Sequence, residues 1–234
     1  VSDLISKISI EGVATIVGDK PFSDARFSED GLTIVTKCET GYERWNAKTG
    51  ERLNPPEAHD PDVNTFATKS WKEIGCDALD ESTTKAVGSH FNGLADLVTI
   101  SPNGRYVAFG SISGYLGVFD VELDMPLILH GHTTSMNNHM HQNSINAILF
   151  DSSSTYLVSV AEEDCNPLLW DLTAASKEKT WNQRPGRLFD HPLELKDVMP
   201  SLFGTIAFSP IAPKLVTTHC SNQTTRVWEI IRTP

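Results

Sequence analysis

Laid on itself, the chain repeats four times. Residues 25–50, 98–122, 147–172 and 206–230 align on a common set of positions. The first position is Phe27, Ile100, Phe150 and Phe208. Seven residues later each segment has an apolar residue: Ile34, Val107, Leu157 and Leu215. After 18, 19, 20 and 20 residues comes an aromatic: Trp45, Phe119, Trp170 and Trp228. Asn46, Asp120, Asp171 and Glu229 follow directly. A short repeat cannot bury its apolar face alone, so it must stack against copies of itself. Each segment reads as strand, turn, strand, turn, strand. Ser-Glu-Asp-Gly at 28–31 and Ser-Pro-Asn-Gly at 101–104 are turn sequences, because Pro fixes φ while Asn and Gly tolerate the left-handed region. Runs such as 106–109 and 156–160 are short and β-rich. No long stretch has a helical period, so the fold class expected is all-β.

The pattern resembles WD40 repeats: a Phe-Ser-Pro-x-Gly turn, a buried strand, a polar turn, then Trp-Asp. Trp170-Asp171 is the literal dipeptide, and His130-Gly131-His132 contains the Gly-His that opens such repeats. The resemblance implies a β-propeller, with four-stranded blades around a central channel. It also implies a structural hydrogen-bond tetrad of an opening His, a second-strand Ser or Thr, the Trp, and an Asp six residues before it. In the third repeat these are Ser159, Asp164 and Trp170, with His132 or His141 as the histidine. The other repeats depart from the pattern, with Glu39, Ser113 and Asn222 six residues before the aromatic.

A blade takes about 40–45 residues, so this length supplies a partial propeller, or about five to seven blades with long insertions. The expected organisation is an N-terminal strand segment over 1–21, closing a blade, and propeller blades over 22–234. Insertions fall near 51–90, 131–144 and 173–203. Anchor spacings of 73, 50 and 58 all exceed one blade. The longest gap holds either a degenerate blade around 64–68 or an insertion. Residues 8–17 read as an edge strand completing another blade. Val1 in place of Met points to a fragment or a processed product.

Composition excludes several functions. With a net charge of -11 and no basic run, nucleic acid is not an expected partner. No apolar run is long enough for a transmembrane helix. Asp3, Lys7 and Glu11 argue against a signal peptide. Cys38, Cys76, Cys165 and Cys220 form no C-x-x-C pair, which predicts reduced thiols in an intracellular, cytoplasmic or nuclear protein. His130, His132, His139 and His141 cluster, but no nearby Cys or acidic ligand completes a metal site. The serines at 111 and 113 lie in a strand-to-strand turn rather than a nucleophile elbow. No phosphate-cradling or dinucleotide motif occurs. No catalytic residue, metal or cofactor is therefore expected.

Trp71 and Trp181 stand in the linkers, and His139 in a polar one. Long loops on a rigid scaffold are where binding concentrates, and Trp is enriched at hot spots. These three are the candidate partner-binding residues. The leading expectation is a non-catalytic protein–protein interaction scaffold, acidic and so suited to a basic partner. One alternative is a sensor or regulatory module of a larger signalling or nucleotide-switch protein. It draws on 45–50, which is similar to WD40 arrays attached to such switches. The other is a propeller enzyme or metal-binding protein using the histidine-rich loop.

Overall fold

Four sheets, antiparallel except for one short strand pair, follow from the four repeats. The structure is a computed structural model, which describes residues 7–57, 69–70, 97–111, 116–129, 144–161, 167–173, 187–189, 193–194, 203–219 and 223–233. Sheet 1 joins β2 (Asp24–Phe27), β3 (Thr33–Cys38), β4 (Gly41–Asn46) and β5 (Arg52–Glu57) in that order. Sheet 2 contains β6 (Lys69–Ser70), β7 (Leu97–Ile100), β8 (Tyr106–Gly110), β9 (Leu116–Asp120) and β10 (Met125–Leu129). Sheet 3 contains β11 (Ile145–Phe150), β12 (Tyr156–Ala161) and β13 (Leu168–Asp171). Two short strands come from the segment after it. β14 (Arg187–Phe189) adds to sheet 2 beyond β10, and β15 (Leu193–Glu194) adds to sheet 3 beyond β13. The β10–β14 pair is parallel. Sheet 4 is β16 (Phe203–Phe208), β17 (Lys214–His219) and β18 (Thr224–Thr233), with β1 (Lys7–Val17) on the far side of β18.

The sequence anchors become one cross-strand row in each sheet. Phe27 lies opposite Ile34 and Ile34 opposite Trp45. The same row is Ile100–Val107–Phe119, Phe150–Leu157–Trp170 and Phe208–Leu215–Trp228. Directly opposed side chains share one face, so three apolar groups stack across each sheet. The middle member is fully buried in all four.

The outer strand is where the sheets differ. Sheet 1 takes it from the residues just after its own third strand, as does sheet 2. Sheet 4 takes it from the other end of the chain: Lys7 to Val17 run antiparallel to Thr233 to Thr224, with a register shift between Gly12 and Ala14. Such a bulge bends the strand and strengthens its twist.

The chain divides into two compact units, Val1–Phe66 with Lys196–Pro234, and Ala67–Leu195. The first holds sheets 1 and 4, the second sheets 2 and 3. Within the first, Phe22, Phe27, Ile34 and Trp45 pack with Val216 and Val227. Within the second, Tyr106 and Val118 pack with Ile148, Leu157 and Trp170. The sheets meet in the same way in each unit. β2 lies on β16 and β17, and β11 lies on β7 and β8. The approach is close enough that Gly110 has no room for a side chain. A Cβ there would stand 2.7 Å from Cγ2 of Ile145.

Candidate interaction surface

Three local devices recur among the sheets, all encoded near the repeat anchors, and sheets 2 and 4 each lack one. The first fastens the third strand to the second. The Trp45 indole donates to Thr36 Oγ1 at 2.8 Å, Trp170 to Ser159 Oγ at 2.9 Å, and Trp228 to Thr217 Oγ1 at 2.9 Å. All three hydroxyls are buried, where an unpaired N–H would be costly. Sheet 2 replaces both partners at once: Phe119 stands for the Trp and Phe109 for the hydroxyl residue. Neither has a polar side-chain group, so no orphan is left. The hydroxyl falls nine residues after the first anchor in each case, a spacing that anchor alignment alone passes over.

The indole-to-hydroxyl bond of sheet 4 can be tested by substitution. Thr217→Val is expected to cost about 1–3 kcal/mol by stranding the Trp228 N–H. Adding Trp228→Phe should then cost less than the two single changes combined, because sheet 2 already uses an apolar pair. A double-mutant cycle in urea measures the coupling; simple additivity would refute it.

The second device closes the turn after the third strand. Asn46 Oδ1 accepts from the N–H groups of Lys48 and Thr49 at 2.9 and 3.0 Å. Asp171 Oδ1 accepts from the Thr173 N–H and hydroxyl at 2.9 and 2.6 Å. Asp120 Oδ1 accepts from the Leu123 N–H at 3.2 Å and also holds Arg105. These are local Asx bonds, which need a short side chain. Glu229 is one methylene longer, and its carboxylate instead reaches Lys214 Nζ at 3.7 Å.

The third device is the turn between the first two strands. The residue after the anchor, Ser28, Ser101, Asp151 or Ser209, donates its N–H to the carbonyl five residues on. Its side-chain oxygen accepts from a backbone N–H within the same turn: Thr33, Tyr106, Tyr156 and Ile211 respectively. Three residues after it the backbone turns left-handed at Gly31, Gly104 and Ser154, with φ of 66°, 75° and 59°. Only Ser154 carries a side chain there. Its Oγ accepts from the Asn103 N–H of the neighbouring turn at 3.1 Å. In the first unit the matching place is Gly31, where a Cβ would meet Cγ1 of Ile211 at 2.5 Å. The two units therefore use the same turn-on-turn contact, once polar and once apolar.

In the 28–33 turn, the Ser28 hydroxyl donates to Asp30 at 2.6 Å and the Leu32 N–H at 3.0 Å. These bonds, the Ser28 one foremost, lower the Asp30 pKa below the usual carboxylate value. Its stabilising contribution is thus present above the ordinary carboxylate range and is lost as pH falls through the depressed value. A carboxyl-carbon NMR titration should give Asp30 a lower midpoint than an exposed reference Asp, and Ser28→Ala should move it back up. A midpoint unaffected by Ser28→Ala would show the cause to be elsewhere.

Of the tetrad residues expected in the third repeat, the structure joins Ser159 to Trp170. His132, His141 and Asp164 lie outside the described residues, as do Trp71, Trp181 and His139. So does the 64–68 segment. Among the described residues no group of three or more His, Cys, Asp or Glu is placed to hold a metal ion. Among them, too, no helix is long and apolar enough to cross a membrane. Cys38 is buried and near the Thr40 hydroxyl, at 3.2 Å.

A family profile described as "WD domain, G-beta repeat" matches residues 127–171. That span runs through the histidine cluster and the first three strands of sheet 3, and ends on the Trp170-Asp171 dipeptide. The chain is also similar to a solved structure titled "Crystal structure of the computationally designed Ika4 protein". The identity is 17%, over 94% of this chain and 98% of that one, with a TM-score of 0.37. A likeness of that size carries no argument here. The WD40 repeat match and the four small sheets stand together as the finding.

Proposed function

We propose that the four sheets are blades of a WD40-type β-propeller and that the chain is a non-catalytic scaffold for protein–protein interaction. The observation that carries this reading is the common row, Phe/Ile–apolar–aromatic, locked in three sheets by the same indole-to-hydroxyl bond. The indoles and hydroxyls of that row bond to each other within the sheet. Rigid sheets of that kind serve to position the segments between them. The profile match over 127–171 supports the same reading.

In this reading β1, added to β18, is the strand that closes the ring. His132 or His141 with Asp164 extends the Ser159–Trp170 bond into a full tetrad, which acts on stability rather than on a ligand. Trp71, Trp181 and His139 contact the partner, and the acidic balance of the chain selects a basic one. The test is quantitative affinity purification with the protein in its natural length. A partner should be retained in fixed stoichiometry and lost on Trp71→Ala/Trp181→Ala, with the melting temperature unchanged. Turnover of a small molecule with no protein retained would overturn the proposal.

A further inference from the structure

Sheet 1 buries a charge two residues before its aromatic anchor, at a place where the other sheets bury none. Glu43 holds that place on β4, with only 5% of its side chain exposed. The matching residues are Gly117, Leu168 and Arg226. Glu43 Oε1 accepts from Arg52 Nη2 at 2.8 Å. Oε2 is buried and accepts no hydrogen bond among the described residues. Arg52 lies on β5 directly opposite Trp45, its guanidinium carbon 4.9 Å from the ring centroid. In sheet 2 that place is Pro126, and in sheet 4 it is Gly12. A half-satisfied buried carboxylate costs more than an apolar residue of similar size. The repeat alone therefore gives no reason for this pair.

Arg52 also holds something outside its own sheet. The same Nη2 reaches Asp19 Oδ2 at 3.1 Å. Asp19 belongs to residues 18–23, which lead from β1 in sheet 4 to β2 in sheet 1. Three further ties fasten this segment to sheet 1. Lys20 Nζ reaches Glu39 at 3.5 Å, the Ser23 N–H donates to the Lys37 carbonyl at 2.8 Å, and Phe22 meets Trp45 edge-on at 6.0 Å. Its first residue is tied the other way: the Gly18 N–H donates to the Gln223 carbonyl, just before β18, at 3.0 Å. β1 itself has little side-chain grip. Of residues 9–17 only Ile16 is buried, two places from the segment, while Val13 and Val17 are exposed.

We propose that residues 18–23 are a strap and that Arg52 is its latch. Glu43 fixes the guanidinium over the indole, where Asp19 reaches it. Closed, the latch draws the strap onto Trp45, keeps Ile16 seated and so holds β1 on β18. Open, it frees β1 as one piece and bares the β18 edge, Thr224–Thr233, while sheet 1 stays folded. Such a local opening lies below global unfolding in free energy. β1 and β18 pair whatever the chain binds, so the latch stands apart from the scaffold reading.

Hydrogen exchange of the intact chain, read by mass spectrometry, provides the test. The amides shared by β1 and β18 report strand release, and those of β3 and β12 report sheets that stay closed. Asp19→Asn cuts only the exposed arm of the latch, since the Asp19 side chain is 86% exposed. It should speed exchange across β1 and β18 about two- to fivefold, the effect of one exposed ion pair, with β3 and β12 unchanged. Glu43→Leu/Arg52→Leu gives sheet 1 the residue type that sheet 3 has at Leu168. Its melting temperature should equal or exceed the parent's, because no buried charge is left unpaired. Exchange across β1 and β18 should still rise about five- to thirtyfold, since the ion pair and the cation over the indole are both gone. Parent-like exchange in either variant overturns the latch. So does a rise of equal size in β3 and β12, which would make Arg52 a general stabiliser. Should the double variant fail to fold, Asp19→Asn decides alone by the same two readings.

Discussion

Replacing Trp170 with alanine is expected to lower the unfolding free energy by about 3–5 kcal/mol. Its side chain is almost wholly buried, in contact with the core shared by sheets 2 and 3. Two losses combine. Removing the indole leaves a cavity beside Ile148 and Leu157, and it removes the N–H that the fully buried Ser159 hydroxyl accepts. Trp170→Phe separates them, because it fills most of the cavity and removes only the N–H. That variant should cost about 1–3 kcal/mol. Chemical denaturation followed by fluorescence of the remaining tryptophans gives both values. A Trp170→Ala protein as stable as the parent would mean that the aligned aromatic is not a core residue.

Asp120→Ala should have the next largest effect, about 3 kcal/mol. Asp120 is 0% exposed and accepts from Arg105 Nη2 at 2.9 Å and from Nε, and also from the Leu123 N–H. The guanidinium also lies over the Tyr106 ring, 5.1 Å from its centroid. Losing the carboxylate leaves a cation beside a buried surface and opens the turn after β9. The figure stays at the low end of the range for broken buried pairs, because Arg105 keeps some water and also reaches Glu122 at 3.1 Å. Hydrogen bonding to Asp120 raises the Arg105 pKa above its ordinary value. A raised pKa contributes below the unfolded value, so arginine stays charged and this interaction brings no pH dependence of its own in the neutral range. Replacing Arg105 with Met alongside Asp120→Ala should recover part of the loss. Equal stability of the single and double variants would show that the stranded cation is not the cause.

Much of each sheet was legible in the chain because its signals are local. An anchor and the apolar residue seven places on predict a tight turn between two strands, and the structure sets them opposite each other in all four repeats. Trp170 and Ser159 were legible from a motif, and they are joined. Thr36 and Thr217 were passed over, although they sit at the same offset from their anchors. Those repeats lack the Asp expected six residues before the aromatic, so the four-residue motif does not mark their hydroxyl. The Phe109 and Phe119 pair shows why one partner alone misleads. A missing hydroxyl is harmless only when the indole is missing too.

By itself the sequence determined the strands, the turns and the row of three apolar residues across each sheet, whose middle member is buried in all four. These depend on neighbours within about twenty residues, through turn geometry and alternation. Residues 8–17 were legible as an edge strand, but tertiary structure alone decided that the partner of β1 is β18 of sheet 4 and that β14 joins sheet 2 in parallel. It also decided that Ile211 rests on Gly31. The reason is physical. Every strand edge offers the same row of N–H and C=O groups, so an edge carries no label for a distant partner. Only the packing of the folded faces selects which strand fills it.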